Sequence, residues 1–269
     1  MHVLTWNLWW QFGPWQERQP AILSELQAID PDIALFQEVW ADDSGDQAEI
    51  LGAALDRHVV RTRAADGTPQ RFGNAVLSRW PIEELEMIRL PGPDGAPSHR
   101  TALAARVHAP QGPWTVIVTH LAWEYDRSAL RQVQLAEVVQ LAQRHLGGDD
   151  DPPVILGGDL NAAPQSDEIR RLTGLSVSYT DGLVFTDSWA AVGEGEGYTW
   201  SRDNPHSVDA MWPRRRLDYL LVSWPRPKPL GNPRGARLVG VEPRGGIVGS
   251  DHYGVLAEFD TRTSFQGQA

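Results

Sequence analysis

The chain has 269 residues, no cysteine and a formal net charge of −11, with 41% apolar and 22% charged residues. Such a chain can bury a substantial core without disulfides, and the missing cysteines fit a reducing compartment. The acidic balance argues against a broad, nonspecific grip on nucleic acid, which needs a basic face, but says little against small phosphate esters.

The first residues, MHVLTWNLWWQF, lack the basic region, apolar run and cleavage site of a signal peptide. Apolar runs such as residues 114–118 are far too short to span a bilayer. The expectation is a cytoplasmic, monomeric protein with no membrane anchor.

Along the chain, residues 2–6 read as a strand and 20–28 as part of an amphipathic helix. Residues 32–37 (DIALFQ), apolar and bounded by Pro31, form a second strand, and 73–78 (GNAVLS), closed by Pro81, a third. Residues 101–108 and 114–121 flank the turn signal APQGP and predict a β-hairpin. Residues 128–146 carry a helical period that puts Leu130, Val133, Leu135, Val138, Val139, Leu141 and Ala142 on one broad face, ended by His145 and Gly147-Gly148. Residues 154–156, 217–222 and 253–259 read as strands, and the Pro- and Arg-rich segment 223–237 as a surface loop. No linker or charge block divides the chain, so one domain over residues 1–260 is expected, with a polar tail over 261–269. Hairpins mixed with strand–helix alternation fit two packed sheets with helices outside.

Polar residues interrupt the apolar pattern where strands end: Asn7 in TWN, Glu38 in FQEVW, Asn74 in FGNAVLS, His120 in VTHLAW, Asp159 and Asn161 in LGGDLNAAP, and Asp251-His252 in GSDHYG. Asp218, in RLDY, stands directly before an apolar strand. Rigid strands can hold side chains from distant positions in one place, so strand ends carry function disproportionately. Singly, each residue also has a structural reading: an Asx turn at Asp159 and Asn161, a satisfied rim histidine at His120, an exposed charge at Glu38, a turn cap at Asp251. Asn7 is harder to place structurally. An amide among the tryptophans of TWNLWWQFGPW must find partners or cost about 1–3 kcal/mol.

In order, TWN, QE, GNAVLSRWPI, THL, GDLNAAP, LDY and SDH resemble the endonuclease/exonuclease/phosphatase family of metal-dependent phosphoesterases, with the likeness running from Thr5 to His252. That family includes deoxyribonuclease-I-like nucleases, abasic-site endonucleases, neutral sphingomyelinases and tyrosyl-DNA phosphodiesterases. The resemblance implies an α/β fold, a four-layer α/β sandwich of two packed mixed β-sheets flanked by helices. It also implies a hydrolase using Mg²⁺ or Mn²⁺, with Glu38 the principal metal ligand and Asn7 and Asp251 beside it. His252 is then the essential histidine and Asp218 the carboxylate that orients it. Asp159 orients or deprotonates the attacking water, Asn161 donates to the phosphate and His120 contacts it. Asn74 supports the site or touches the phosphate.

Around these motifs, Trp9 and Trp123 are expected to border the substrate, as is Trp200 in GYTWSRDNPH, where Asn204-Pro205-His206 would turn at the rim. Arg100 is the arginine expected to meet the substrate, while Arg71, Arg127 and Arg131 also lie near motifs. Arg214-Arg215-Arg216 is the strongest basic cluster, either countering the local acidity or decorating a loop. The leading function is hydrolysis of a phosphodiester or phosphomonoester by direct attack of water. A nuclease or DNA-repair phosphodiesterase is the alternative, disfavoured by net charge, and a non-catalytic binding module on the same scaffold is the third reading. There is no cysteine nucleophile, G-x-S-x-G elbow, Walker A sequence or cluster of zinc-ligand spacing.

Overall fold

Alternation along the first strand sorts its side chains between two cores. Val3 packs between two sheets, while Leu4 and Trp6 face a helical layer. Thr5, on the same face as Val3, is buried and bonded to Gln37 of the neighbouring strand, and Asn7 continues that face. The computed structural model describes residues 1–262 except 149, 211 and 227.

In chain order the elements are β1 (His2–Asn7), α1 (Trp15–Ile29), β2 (Ile33–Asp42), β3 (Gly45–Asp46), α2 (Gln47–Leu55), β4 (His58–Arg61), β5 (Phe72–Ser78), β6 (Ile82–Pro91), β7 (Pro97–Ala109), β8 (Gly112–His120), α3 (Ser128–Arg144), β9 (Ile155–Asp159), α4 (Asp167–Leu172), β10 (Val184–Asp187), α5 (Ser188–Val192), β11 (Asp218–Trp224), β12 (Pro233–Val239) and β13 (Gly254–Phe259). One sheet runs β12-β13-β1-β2-β5-β4, with β3 paired to β2, and the other β10-β11-β9-β8-β7-β6. Each is mixed: β1/β2 and β8/β9 are parallel, while the other strand pairs are antiparallel.

Their facing surfaces enclose a core that includes Val3, Leu35, Val76, Val116, Ile155 and Leu220. On the far side of the first sheet, α1 and α2 bring Ile22, Leu26 and Leu51 against Leu4, Trp6 and Phe36. On the far side of the second, α3 and α4 bring Leu135, Val138 and Ile169 against Ile117, Leu156 and Leu221. The result is helix, sheet, sheet, helix: the four-layer sandwich expected.

Several local expectations change. Helix α1 spans Trp15–Ile29 and contains the segment 20–28 read as part of a helix, with Pro20 inside its second turn. Helix α3 ends at Arg144, and Val133 is 52% exposed, outside the face expected to bury it. The segment 223–237 is not simply a surface loop, because Pro233–Val239 is an edge strand against β13. Its proline and the exposed Arg234 and Arg237 disguise it, yet both features suit an edge that must not recruit another chain. The tail expected after residue 260 lies, from 263 on, outside the described residues. No helix among the described residues is long and apolar enough to cross a membrane.

Candidate active site

Register does the first part of the assembly. His120, Asp159 and Asp218 stand abreast on β8, β9 and β11, since His120 pairs with Asp159 and Asp159 with Asp218. In the opposite sheet, Asn7 ends β1 beside β2, which carries Glu38. One amide then joins the sheets: Asn7 Nδ2 donates to Glu38 Oε1 and to Asp159 Oδ2, both at 3.1 Å. Its Oδ1 accepts from Trp9 N at 2.9 Å, so the amide of TWN is fully engaged.

Two backbone irregularities aim these side chains. The β2/β5 register shifts between Phe36 and Val39, and Glu38 takes a left-handed φ of 56°. A bulge with that φ turns the carboxylate into the space between the sheets, at a cost of order 1–3 kcal/mol that the surrounding structure offsets. At the other wall, a Cβ on Gly158 would lie 1.9 Å from Thr119 O, and one on Gly157 2.5 Å from Leu35 Cδ1. Only glycines let β9 present Asp159 this close to its neighbours. Asp159 Oδ1 accepts from Asn161 N at 3.0 Å, so the Asx-turn reading and a role in the site both hold, and Asn161 has a left-handed φ of 49°.

His252 is set from behind. Its Nδ1 lies 2.8 Å from Asp218 Oδ2, and its carbonyl accepts from Trp6 Nε1 at 2.9 Å. Thr199 Oγ1 accepts from the amides of Leu217 and Asp218 at 2.9 and 3.2 Å, fixing the strand start that carries Asp218. His252 Nε2 then points toward Asp159 Oδ2, 3.8 Å away, and His120 Nε2 lies 3.4 Å from the same oxygen.

Burial and neighbouring charges shift Glu38, Asp159, Asp251, His252 and His120. Burial, reinforced by Asp251, pushes Glu38 up to about 7. Burial and the neighbouring Asp218 raise Asp159 to about 6. Asp251 is raised, chiefly by burial. Burial alone would disfavour a charged His252, but Asp218 and Asp159 outweigh it and hold its pKa well above the usual histidine value. His120 goes the other way: burial, Arg100 and His252 keep it well below, hence neutral.

The residues fit a hard divalent cation. Among the described residues, Glu38, Asp159, Asp218 and Asp251 have no arginine or lysine ion-pair partner, and Glu38 Oε2 and Asp218 Oδ1 are buried without any partner. Uncompensated carboxylate oxygens are what such an ion takes. One ligand atom each from Asp159, Asp218 and His252 also falls within 4.8 Å of the others. His252, however, is held charged and bonded to Asp218 through Nδ1, and a protonated ring cannot ligate. Glu38 and Asp251 line the same end of the pocket, and Asp251 is the charge that acts most strongly on Glu38, a second carboxylate pair that a cation could neutralise.

These groups open into a cavity of about 840 Å³. It is lined by Glu38, His120, Asp159, Asn161, Asp251 and His252 at one end and by aromatic rings elsewhere. Trp9, Trp123 and Trp200 line it as expected, Trp123 being 63% exposed at the rim. Arg100 also lines it, buried beside Phe72 with its guanidinium 5.8 Å from the ring centroid and, among the described residues, Nη1 enclosed without a partner. His206 packs on Trp9 at 4.9 Å.

Other residues near the motifs stand off the main cavity. Asn74 lies just off the main cavity, in a small pocket with Phe72, His99, Arg100 and His120, and its Nδ2 donates to Thr101 O and Thr101 Oγ1, which agrees with the supporting role expected as one alternative. Trp10 hydrogen-bonds to Arg71 O and packs on Phe72, and Trp15 packs on Trp40, both off the cavity. Arg131 is buried against Glu168 at 2.8 Å, while Arg71 and Arg127 are exposed elsewhere.

Phe72 and His99 line the cavity and Arg18 braces its loop, yet sequence reasoning singled out none of them. Phe72 stands two residues before Asn74 on one strand, a usable signal; His99 and Arg18 carry none.

Comparisons with known proteins place the chain in a family. The endonuclease/exonuclease/phosphatase family model matches residues 4–252. The chain is 27% identical over 174 residues to protein angel of Drosophila melanogaster, covering 61% of this chain and 48% of that protein. It is 31% identical over 176 residues to the uncharacterized protein YbhP of Escherichia coli (strain K12), covering 59% and 66%. It thus spans about half of the first relative's length and just under two thirds of the second's. D. rerio TDP2, complexed with a single-strand DNA product, superposes with TM-score 0.75 at 21% identity, covering 97% of this chain and 98% of that one. The human Nocturnin catalytic domain, with bound sulfate anion, gives TM-score 0.71 at 22% identity, covering 97% and 94%. These likenesses show a shared fold. With the model match reaching from the first strand to His252, the chain belongs to the endonuclease/exonuclease/phosphatase family, whose members are hydrolases of phosphate esters.

Proposed function

We propose that the protein is a divalent-metal-dependent phosphoesterase that hydrolyses a small or moderate-sized phosphate ester by in-line attack of water. The observation that carries this reading is the double contact of Asn7, which links the Glu38 carboxylate to Asp159 beside His120 and His252. Glu38 and Asp251, with Asn7 fixing the Glu38 carboxylate, would hold Mg²⁺ or Mn²⁺, which when bound neutralises phosphate charge and stabilises the leaving oxygen.

The chain's own residues supply the remaining steps. Arg100 and Asn161 bind phosphoryl oxygens, and neutral His120 lies against the same group. Charged His252 donates from Nε2 to a phosphoryl oxygen, held in that state and orientation by Asp218. Asp159, raised toward working pH, orients the water and accepts its proton. The bond from the water oxygen to phosphorus forms as the bond to the leaving oxygen breaks, and the leaving oxygen takes a proton from solvent. Positioning and charge stabilisation carry the rate, without a covalent intermediate.

The net charge of −11 favours a compact ester over a long duplex. The second reading is the end of a single-stranded nucleic acid, favoured by the aromatic lining, on which bases could stack. Hydrolysis of bis(p-nitrophenyl) phosphate with Mg²⁺, Mn²⁺ or EDTA tests the proposal. Turnover should require the metal, and Glu38→Gln and His252→Ala should each abolish it while leaving the circular dichroism spectrum unchanged. Metal-independent turnover, or a folded variant keeping most of its activity, would overturn it.

A further inference from the structure

The triplet Arg214-Arg215-Arg216 separates into three different environments. Arg216 is buried and holds Asp187 with Nη1 at 3.0 and 2.8 Å. Arg214 is exposed and pairs with Asp203 at 2.6 Å. Arg215 lines the cavity, and among the described residues its guanidinium has no hydrogen-bond or ion-pair partner, although Nε is fully enclosed.

Arg215 is nevertheless held in place. Its guanidinium lies 5.0 Å from the ring centroid of Tyr125 and 5.6 Å from that of Trp200. Tyr125 is in turn stacked on Trp212, 4.9 Å between centroids with 19° between planes. The backbone of Arg215 is paired both ways with Trp200, through Arg215 N to Trp200 O at 2.9 Å and Trp200 N to Arg215 O at 3.0 Å. Trp200 also bridges to His252, which ties this wall to the reacting end. A row of rings therefore fixes a planar cation without using its donors. Such donors, half-withdrawn from water and unpaired, are costly unless a ligand supplies an acceptor, and a guanidinium fork matches phosphate.

Arg100 is the other guanidinium lining this cavity, and it too has no side-chain partner among the described residues. Both guanidiniums lie in the field of Asp159, and Arg100 also lies in that of Glu38, at the reacting end. Arg215 belongs to the aromatic wall, where nothing in the hydrolytic scheme uses it.

We propose that Arg215 is a second anion subsite, which takes a phosphate that the substrate carries in addition to the scissile one. The inference rests on the phosphoesterase reading and narrows it to esters with two phosphates joined by a compact body that fits against the rings. The second phosphate comes either from a small bisphosphate or from the next linkage of a nucleotide chain.

The test uses the p-nitrophenyl ester of thymidine 5′-phosphate in three forms: with a free 3′-hydroxyl, with a 3′-phosphate, and with a 3′-linked second nucleotide. The wild-type protein should prefer one or both of the two-phosphate esters over the first in kcat/KM. Arg215→Gln should cut that preference roughly tenfold to a hundredfold, with Arg215→Lys between, because charge-assisted hydrogen bonds are lost. Preference for the monoester identifies a small bisphosphate, and preference for the dinucleotide identifies a chain.

An unchanged ratio in Arg215→Gln, or equal losses on all three esters, would make Arg215 a mere staple of the wall and overturn the proposal. Binding of thymidine 3′,5′-bisphosphate against thymidine 5′-monophosphate, followed by tryptophan fluorescence, separates the two readings. If no ester is hydrolysed, the phosphoesterase reading fails. The subsite still stands or falls on whether the wild type binds the bisphosphate more tightly and Arg215→Gln loses that advantage.

Discussion

Trp6 on the first strand donates its indole N–H to the carbonyl of His252 at 2.9 Å, so residues 246 positions apart share one buried hydrogen bond. The same ring presses against Gly240, Gly249 and Gly254, where added Cβ atoms would approach it to 2.6, 3.1 and 3.0 Å. The first strand thus shapes the loop that presents the histidine.

Trp6→Phe should keep most of the apolar contact and lose only the donor. Leaving a buried carbonyl unpaired costs about 1–3 kcal/mol. Thermal melting should register that loss, and kcat should fall further than KM changes, because His252 loses its fixed position. A variant with lower stability and unaltered kcat would show that the bond serves folding alone.

Asp218→Asn is nearly isosteric but removes the charge that favours protonated His252. Turnover should drop by roughly 10²–10⁴-fold, as for other carboxylates that orient a catalytic histidine. The histidine pKa, followed by NMR of the ring protons, should fall relative to wild type. An unshifted His252 in a folded variant would contradict this role.

Arg18 stands in α1, fully buried, and its Nη1 and Nη2 donate to the carbonyls of Leu8, Trp9, Trp10, Phe12 and Gly249 at 2.7–3.0 Å. It clamps a loop in which Trp9 and Trp10 both adopt positive φ. Arg18→Met strips those carbonyls of their donor, for an expected loss on the order of 3 kcal/mol. For a chain of this size that corresponds to a fall in Tm of roughly 6–12 °C, measurable by calorimetry.

Asp260 accepts from Arg262 Nε and N at 3.0 Å and from Arg234 Nε at 2.9 Å, and these partners, Arg262 foremost, depress its pKa. A carboxylate depressed on folding stabilises above its unfolded pKa of about 3.9 and loses that contribution as pH falls toward its folded value. Asp260→Asn should therefore be less stable than wild type at pH 7. In denaturant titrations the gap should close below about pH 4. A gap that persisted unchanged into acid would point to packing rather than charge.

Much of the site was legible because its residues sit at strand ends in a fixed order, which needs no knowledge of how the strands pair. His120, Asp159 and Asp218 could each be found from a polar residue bounding an apolar run. Strand β12 was not legible, because edge strands carry prolines and charges that break the alternation. The tryptophan loop was legible only as a question. Trp6 anchors the His252 loop, Trp9 and Phe12 line the cavity, and Trp10 and Trp15 pack elsewhere.

The order of the motifs, the apolar periods and the acidity belong to the chain by itself, since each depends on local side-chain chemistry. Which carboxylates share a charge problem, which arginine of three is left without a partner, and which rings face the ligand were decided only by the tertiary structure. Those properties arise when two sheets bring side chains from distant positions within a few ångströms of each other and away from water, where each group's charge and hydrogen bonding come to depend on its new neighbours.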